Sequence, residues 1–276
     1  MEKIILLFTV ITLTAGLNTF AQSTNATQVE FDALIQRVQA KIDEGKNSEA
    51  DFTGELKGFD QLIAEQNGAK TDEAARILYM KAVLYVQLFG EIDKGEQIIK
   101  QIKSDYPDTV TGKQAGDILA SLDQQAAAKK IQDALAIGTP FPDFTEKDLA
   151  GQPLSVAALK GKVVLVDFWA TWCPLCLKDL PDIIATYKKH HADGFEIIGV
   201  SLDSDHDKLS TFLKQTDGMT WPQFFDGQTW TNQLAVKYGV EALPFNVLVG
   251  PDGKIIGKSL HGEELEDTVA HALAKK

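Results

Sequence analysis

Residues 163–181, VVLVDFWATWCPLCLKDLP, decide how this chain is read. Val163-Val164-Leu165-Val166 is a continuous apolar run, the pattern of a strand buried on both faces. The stretch leads to Cys173-Pro174-Leu175-Cys176, which contains the only two cysteines of the sequence. Residues 167–172 are too few for a loop to travel far, so the cysteines belong at the sheet's edge, where the chain turns into a helix. A helix beginning near Cys173 aims its unpaired N–H groups and the positive end of its dipole at that sulfur. Thiolate is favoured over thiol there, and thiolate is the nucleophile of disulfide exchange.

Two other uses of the pair are weaker. A structural zinc site needs four ligands as a rule, and no further cysteine exists to supply them. His190 and His191 are adjacent, while His206, His261 and His271 are scattered, so no histidine pair has ligand spacing near the motif. A purely structural bridge across two intervening residues would close too small a loop to restrict the unfolded chain much. A strand followed at once by C-x-x-C favours redox chemistry.

The run Val166-Asp167-Phe168-Trp169-Ala170-Thr171-Trp172-Cys173-Pro174-Leu175-Cys176 resembles the active-site segment of the thioredoxin superfamily. The flanking GKVVLV (161–166) and KDLP (178–181) are most similar to the TlpA/ResA-like branch of extracytoplasmic thiol-disulfide oxidoreductases. The resemblance covers residues 138–276 and not the first half of the chain. It implies an α/β thioredoxin-like fold, a central sheet flanked by helices, preceded here by an all-α domain. The activity it implies is dithiol–disulfide exchange with no cofactor or metal. Cys173 is expected to be the exposed nucleophile that forms a mixed disulfide with a partner, and Cys176, one turn on and more buried, to resolve it.

Two carboxylates join the cysteines. Asp167 follows four apolar strand residues and precedes Phe168-Trp169, so burial should raise its pKa and let it exchange protons near neutrality. It matches the thioredoxin carboxylate that takes the proton of the second cysteine, although many TlpA/ResA-like proteins lack an acid here. A carboxylate that merely caps backbone at a strand end is the competing reading. Asp179, three residues after Cys176, matches an acidic position with which ResA-like proteins tune their thiols; a solvated helix carboxylate is an equal alternative.

The resemblance also implies a substrate-binding set: Trp172, Pro174, Leu175, Leu243 and Pro244. Ala242-Leu243-Pro244 matches the family's cis-proline loop, whose backbone at Leu243 would pair with an extended substrate by strand addition. A proline tolerated at the first position of a strand is the alternative. Trp169 and Trp172 are expected as walls, with Trp172 on the rim beside Cys173, and Pro181 as a kink in the helix.

Electron flow is not written in CPLC, because about 30 mV is tenfold for a two-electron couple. The resemblance implies a reductant of exported protein disulfides, with apocytochromes as one candidate class and a membrane thiol carrier as electron donor. A thiol peroxidase of peroxiredoxin type is the first alternative, but it needs P-x-x-x-T-x-x-C, and Val166 and Ala170 stand at the proline and threonine positions. A partner-binding module centred on the helical half is the second.

Residues 1–21 have Lys3, an apolar core and a Thr19-Phe20-Ala21 ending, the pattern of a signal peptide cut after Ala21. The apolar core is short of the ~20 residues of a membrane span. An exported, periplasmic and soluble protein is expected, in a compartment that permits disulfides. The formal net charge is -12, shared evenly by both halves with no basic cluster, which argues against nucleic acid or anionic membrane as partner.

Residues 22–137 read as helical. Phe31, Leu34, Ile35, Val38 and Ile42, then Phe52, Leu56, Phe59, Leu62 and Ile63, recur at helical spacing. Residues 77–109 resemble one tetratricopeptide-type hairpin turning at Gly90-Glu91, without an established repeat. A last helix is expected over 110–128. The boundary is placed at Gly138-Thr139-Pro140-Phe141-Pro142. Beyond it come a hairpin around Ala150-Gly151-Gln152, strands at 163–166, 195–201, 223–225, 245–249 and 254–259, and helices from 173, around 209–213, over 230–238 and from 263.

Overall fold

Phe31, Leu34, Val38 and Ile42 fall on one face of α1 (Ala26–Asp43), and all four are buried. The computed structural model describes residues 26–275, so the signal peptide read at 1–21 lies outside the described residues. A 3-10 turn, Glu49–Phe52, leads into α2 (Thr53–Glu65) through a capping box. Ser48 accepts from the Asp51 N–H while the Asp51 carboxylate accepts from the Ser48 N–H. Thr71 caps α3 (Asp72–Val83), which continues as a π-helical segment, Leu84–Leu88. Phe52, Leu56, Phe59, Leu62, Ile77 and Leu84 share one core with α1. α4 (Ile92–Asp105) joins Leu78, Ile99, Ile102 and Tyr106 into a second small core. Gly45, Gly68 and Gly90 follow helices with positive φ, the geometry that ends a helix without a Cβ clash.

α5 (Val110–Ala134) runs past its expected end at 128, because alanines and lysines continue with no breaker before Gly138. The chain forms two compact units, one ending at Ala126 and one beginning at Ala127. The expected border at Gly138 therefore lies inside the second unit. Leu135 is buried in the same core as Phe141 and Phe144, and the Gln132 amide donates to the Tyr238 carbonyl at 2.6 Å.

In the second unit β1 (Glu146–Lys147) and β2 (Pro153–Leu154) form the expected hairpin, with Asp148 accepting from the Ala150 and Gln152 N–H groups. The main sheet holds β3 (Val163–Trp169), β4 (Phe195–Ser201), β5 (Gln223–Phe225), β6 (Phe245–Val249) and β7 (Ile255–Lys258). Its order is β5-β4-β3-β6-β7. β3 is central and buried along its whole length, as its apolar run requires. β3, β4 and β5 are parallel; β6 is antiparallel to β3, and β7 to β6. The carboxyl ends of β3, β4 and β7 and the amino end of β6 thus gather at one end of the sheet. Helices α6 (Pro174–His190), α7 (His206–Gln215), α8 (Gln233–Lys237) and α9 (Gly262–Ala274) complete this thioredoxin-like fold.

One local expectation is corrected. The helix expected over 230–238 is split by Asn232, whose side chain accepts from the Leu234 and Ala235 N–H groups and so starts α8 afresh. As expected, α6 runs on through Pro181. No described helix is long and apolar enough to cross a membrane.

Candidate active site

The sheet end where β3, β4 and β7 finish carries every chemical group singled out from the sequence. Cys173 is the N-cap of α6 and Pro174 its first residue, a position where the missing N–H of proline removes nothing. The Cys173 Sγ accepts the Cys176 N–H at 3.1 Å. One of the helix's orphan donors is therefore aimed at this sulfur. Cys173 and Cys176 are joined as a disulfide, with Cα atoms 5.3 Å apart.

The expected contrast in burial is absent in this oxidised state: Cys173 is 4% exposed and Cys176 5%. The bond to Cys176 and the N-cap geometry turn the Cys173 side chain in over the first turn of α6. What separates the two sulfurs is surroundings. Cys173 faces the helix terminus, whereas Cys176 lines a narrow cleft with Asp167, Trp169, Asp179, Leu180, Pro244 and Asn246. The cleft has about 10 Å³ of free space, room for the centre of about one water.

Asp167 is 3% exposed and stands on the face of β3 shared with Trp169. Among the described residues no donor reaches its carboxylate. Burial pushes the carboxyl up to about 7, and repulsion from the Asp179 carboxylate adds to the rise. Asp179 is not a freely solvated helix acid. Its Oδ2 lies 2.7 Å from Nδ1 of His261, just beyond β7.

The segment entering the motif is held from β4. The carboxylate of Asp203, itself buried, accepts the Thr171 N–H at 3.1 and 3.2 Å, the Thr171 hydroxyl at 2.6 Å and the Ser201 hydroxyl at 2.8 Å. Trp169 is a buried wall of the Cys176 cleft, and its Nε1–H donates to Gln223 Oε1 at 2.9 Å. A Cβ at Gly199 would come within 2.0 Å of that Gln223 oxygen, so only glycine leaves the amide room to reach Trp169. Trp172 is exposed on the rim and meets Trp230, also exposed, at 5.9 Å between ring centroids. Leu175 and Pro174 are both exposed on the first turn of α6.

On the opposite side of the motif the Leu243–Pro244 bond is cis, and Pro244 lines the cleft with Cys176. Among the described residues neither the N–H nor the C=O of Leu243 is engaged. No group of three or more His, Cys, Asp or Glu that could hold a metal occurs among the described residues.

Asp203, Trp230, Asn246 and His261 belong to the site without standing out in the sequence. Asp203 and His261 both follow strands that run parallel to β3, and the loops after such strand ends are where α/β sheets place their sites. That signal is present in the chain, but it needs the strand order to be used.

A thioredoxin-type sheet with a C-x-x-C disulfide at the N-terminus of the helix after its central strand defines a thiol-disulfide oxidoreductase. The chain belongs to the Redoxin family, whose pattern matches residues 136–274. It is 33% identical over 144 residues to the thiol-disulfide oxidoreductase ResA of a Bacillus cereus strain, covering 52% of this chain and 80% of that protein. With ResA of Bacillus subtilis (strain 168) the identity is 30% over 125 residues, 45% of this chain and 68% of the other. Among solved structures, the thioredoxin domain of a thiol-disulfide oxidoreductase from Bacteroides vulgatus matches with 34% identity and a TM-score of 0.45, covering 49% of this chain and 96% of that one.

Proposed function

We propose that the chain is a reductant of disulfides in exported proteins, acting through Cys173 and Cys176 in separate roles. The observation that carries the two roles is the Cys176 N–H directed at the Cys173 sulfur, with Cys176 itself opening on the Asp167 cleft; the reducing direction rests on the family resemblance. In the reduced protein the helix terminus favours Cys173 as thiolate. Cys173 attacks one sulfur of the substrate disulfide; an S–S bond to the substrate forms, and the other substrate sulfur leaves as thiolate. Cys176 then gives its proton to Asp167 and attacks the Cys173 sulfur. The mixed disulfide breaks, the second substrate thiolate leaves, and Cys173–Cys176 is oxidised while the substrate is reduced by two electrons.

Asp167 suits this step because a carboxyl with a pKa of about 7 is ready both to take and to return a proton near neutrality. The unpaired backbone of Leu243 offers an edge to an extended substrate strand, and Trp172, Pro174 and Leu175 offer an apolar rim. We place the protein outside the cytoplasm on the signal-peptide pattern of residues 1–21. Apocytochromes among its substrates and a membrane thiol carrier as its donor rest on the family resemblance alone.

Insulin reduction and peroxide consumption by the purified protein, measured side by side, test this reading. Reduction of insulin with negligible peroxide turnover is expected. Peroxide turnover that depends on Cys173 would favour a peroxidase. The reduction potential of the pair then bears on the direction of flow.

A further inference from the structure

His261 is absent from the chemistry described so far, yet the fold holds it in a defined place. Asn246, almost fully buried, is the register partner of Asp167 across β3 and β6. Its side chain clamps the chain beyond β7 at both polar groups of Leu260: Oδ1 accepts the Leu260 N–H at 3.0 Å, and Nδ2 donates to the Leu260 carbonyl at 2.8 Å. The Asn246 carbonyl also accepts the Ser259 N–H at 2.9 Å. The next residue is His261, N-cap of α9 with no capping bond from its side chain, and its ring reaches back to Asp179 instead.

The three titratable groups grade from inside to outside. Asp167 is 3% exposed, the Asp179 side chain 23% and the His261 side chain 44%. Asp167 and Asp179 line the same cleft as Cys176. A proton delivered to Asp167 during resolution has to leave before the next turnover, and the buried carboxylate has little direct access to solvent.

We propose that His261 carries this proton between the cleft and bulk water, acting through Asp179. The proton passes from Asp167 to Asp179, across the one-water space of the cleft, and from Asp179 Oδ2 to His261 Nδ1. The imidazole releases a proton from its other nitrogen, Nε2, to solvent and returns to a neutral tautomer. No electrons move in these steps, and the reverse sequence supplies a proton when the disulfide is reduced. His261 is a positioning and relay residue; it touches neither substrate nor sulfur. The charged residues flanking Asp179 and His261 in sequence are Lys178 and Asp182 on α6 and Glu263 and Glu264 on α9. The inference rests on the proposed role of Asp167.

The test is repeated turnover of a small disulfide by the full-length protein with excess dithiothreitol as reductant at pH 7, set beside single-turnover resolution by stopped flow. His261→Ala should slow repeated turnover by at least about tenfold, within the range a positioned acid–base group supplies, while single-turnover resolution stays near wild type. Added imidazole should restore the rate in proportion to its concentration. His261→Gln, which can still hydrogen-bond Asp179 but cannot shuttle a proton, should be slow and equally rescued. An unchanged His261→Ala rate, or a slow rate that imidazole does not restore, would overturn the relay. So would a His261→Gln variant as fast as wild type, which would reduce His261 to a structural partner of Asp179. Asp167→Asn in the same assay separates the two ideas. If it is slow while His261→Ala is fast, only the relay fails; if Asp167→Asn is fast, the proposed role of Asp167 fails with it.

Discussion

Asp167 and Asn246 face each other across the β3–β6 register, a carboxylate and an amide side by side in the buried middle of the sheet. The amide spends its hydrogen bonds on Leu260 rather than on the carboxylate. Burial, with repulsion from Asp179, pushes the Asp167 carboxyl up to about 7, and among the described residues no donor offsets that rise.

That arrangement is a liability for stability, with a definite pH window. An acid whose folded pKa is raised binds protons more tightly when folded, so it penalises folding once the unfolded chain ionises. The penalty grows as pH rises from 3.8 to about 7 and is constant above that. In the oxidised protein, Asp167→Asn should leave stability unchanged near pH 3 and increase it above pH 7 by up to about 4 kcal/mol. Denaturant unfolding across pH checks this. A variant less stable than wild type at pH 8 would mean that the carboxylate has a partner in the fold.

Much of this site is legible locally. The apolar run of β3, the two cysteines and the turn into α6 are consecutive in sequence, so periodicity and spacing suffice to read them. The direction of the Asp167 shift is legible from its apolar strand neighbours, whereas the added repulsion from Asp179 is not. The partners that finish the site are not legible, because they come from separate strand ends. Asp203 follows β4, Trp230 lies in the segment between β5 and α8, and His261 follows β7. Their meeting depends on strand order. The even burial of the two cysteines escapes the sequence for another reason: linear order says which sulfur caps the helix, not how far the closed disulfide turns inward.

The separate roles of the cysteines can be read by trapping. Cys176→Ser should accumulate stable mixed disulfides with substrate proteins, while Cys173→Ser should trap few. Non-reducing gels and mass spectrometry of the linked species report the outcome. Similar trapping by both variants, or equal alkylation rates of the two thiols in reduced wild type, would contradict the assignment.

Trp230 extends the rim beyond the motif by packing its ring against Trp172. Trp230→Ala should raise KM for a protein disulfide by about fivefold, in line with about 1 kcal/mol for removing one aromatic ring from a binding surface. With a small dithiol or disulfide the rate should stay within about twofold, since such a ligand cannot span both rings. An equal loss with both substrates would point to a disturbed motif instead.

Asp179 lies in the same cleft as Cys176, so its negative charge opposes the thiolate. Removing that charge with Asp179→Asn should stabilise the reduced form and make the pair more oxidising. A rise of about 30 mV corresponds to a tenfold change in the exchange equilibrium. Equilibration against glutathione buffers measures it. A fall in potential would reverse the sign of the electrostatic account.

The central claim is that Asp167 takes the proton of Cys176 during resolution. Its most direct test is the stopped-flow rate of resolution of a preformed mixed disulfide at Cys173, for wild type and Asp167→Asn, from pH 5 to pH 9. Wild type should show a rate that titrates near pH 7. Asp167→Asn should be slower by about tenfold or more at pH 7 and lose that titration, with the two rates converging at high pH as Cys176 ionises unaided. A variant that resolves as fast as wild type at pH 7 would show that the buried carboxylate takes no part in the chemistry.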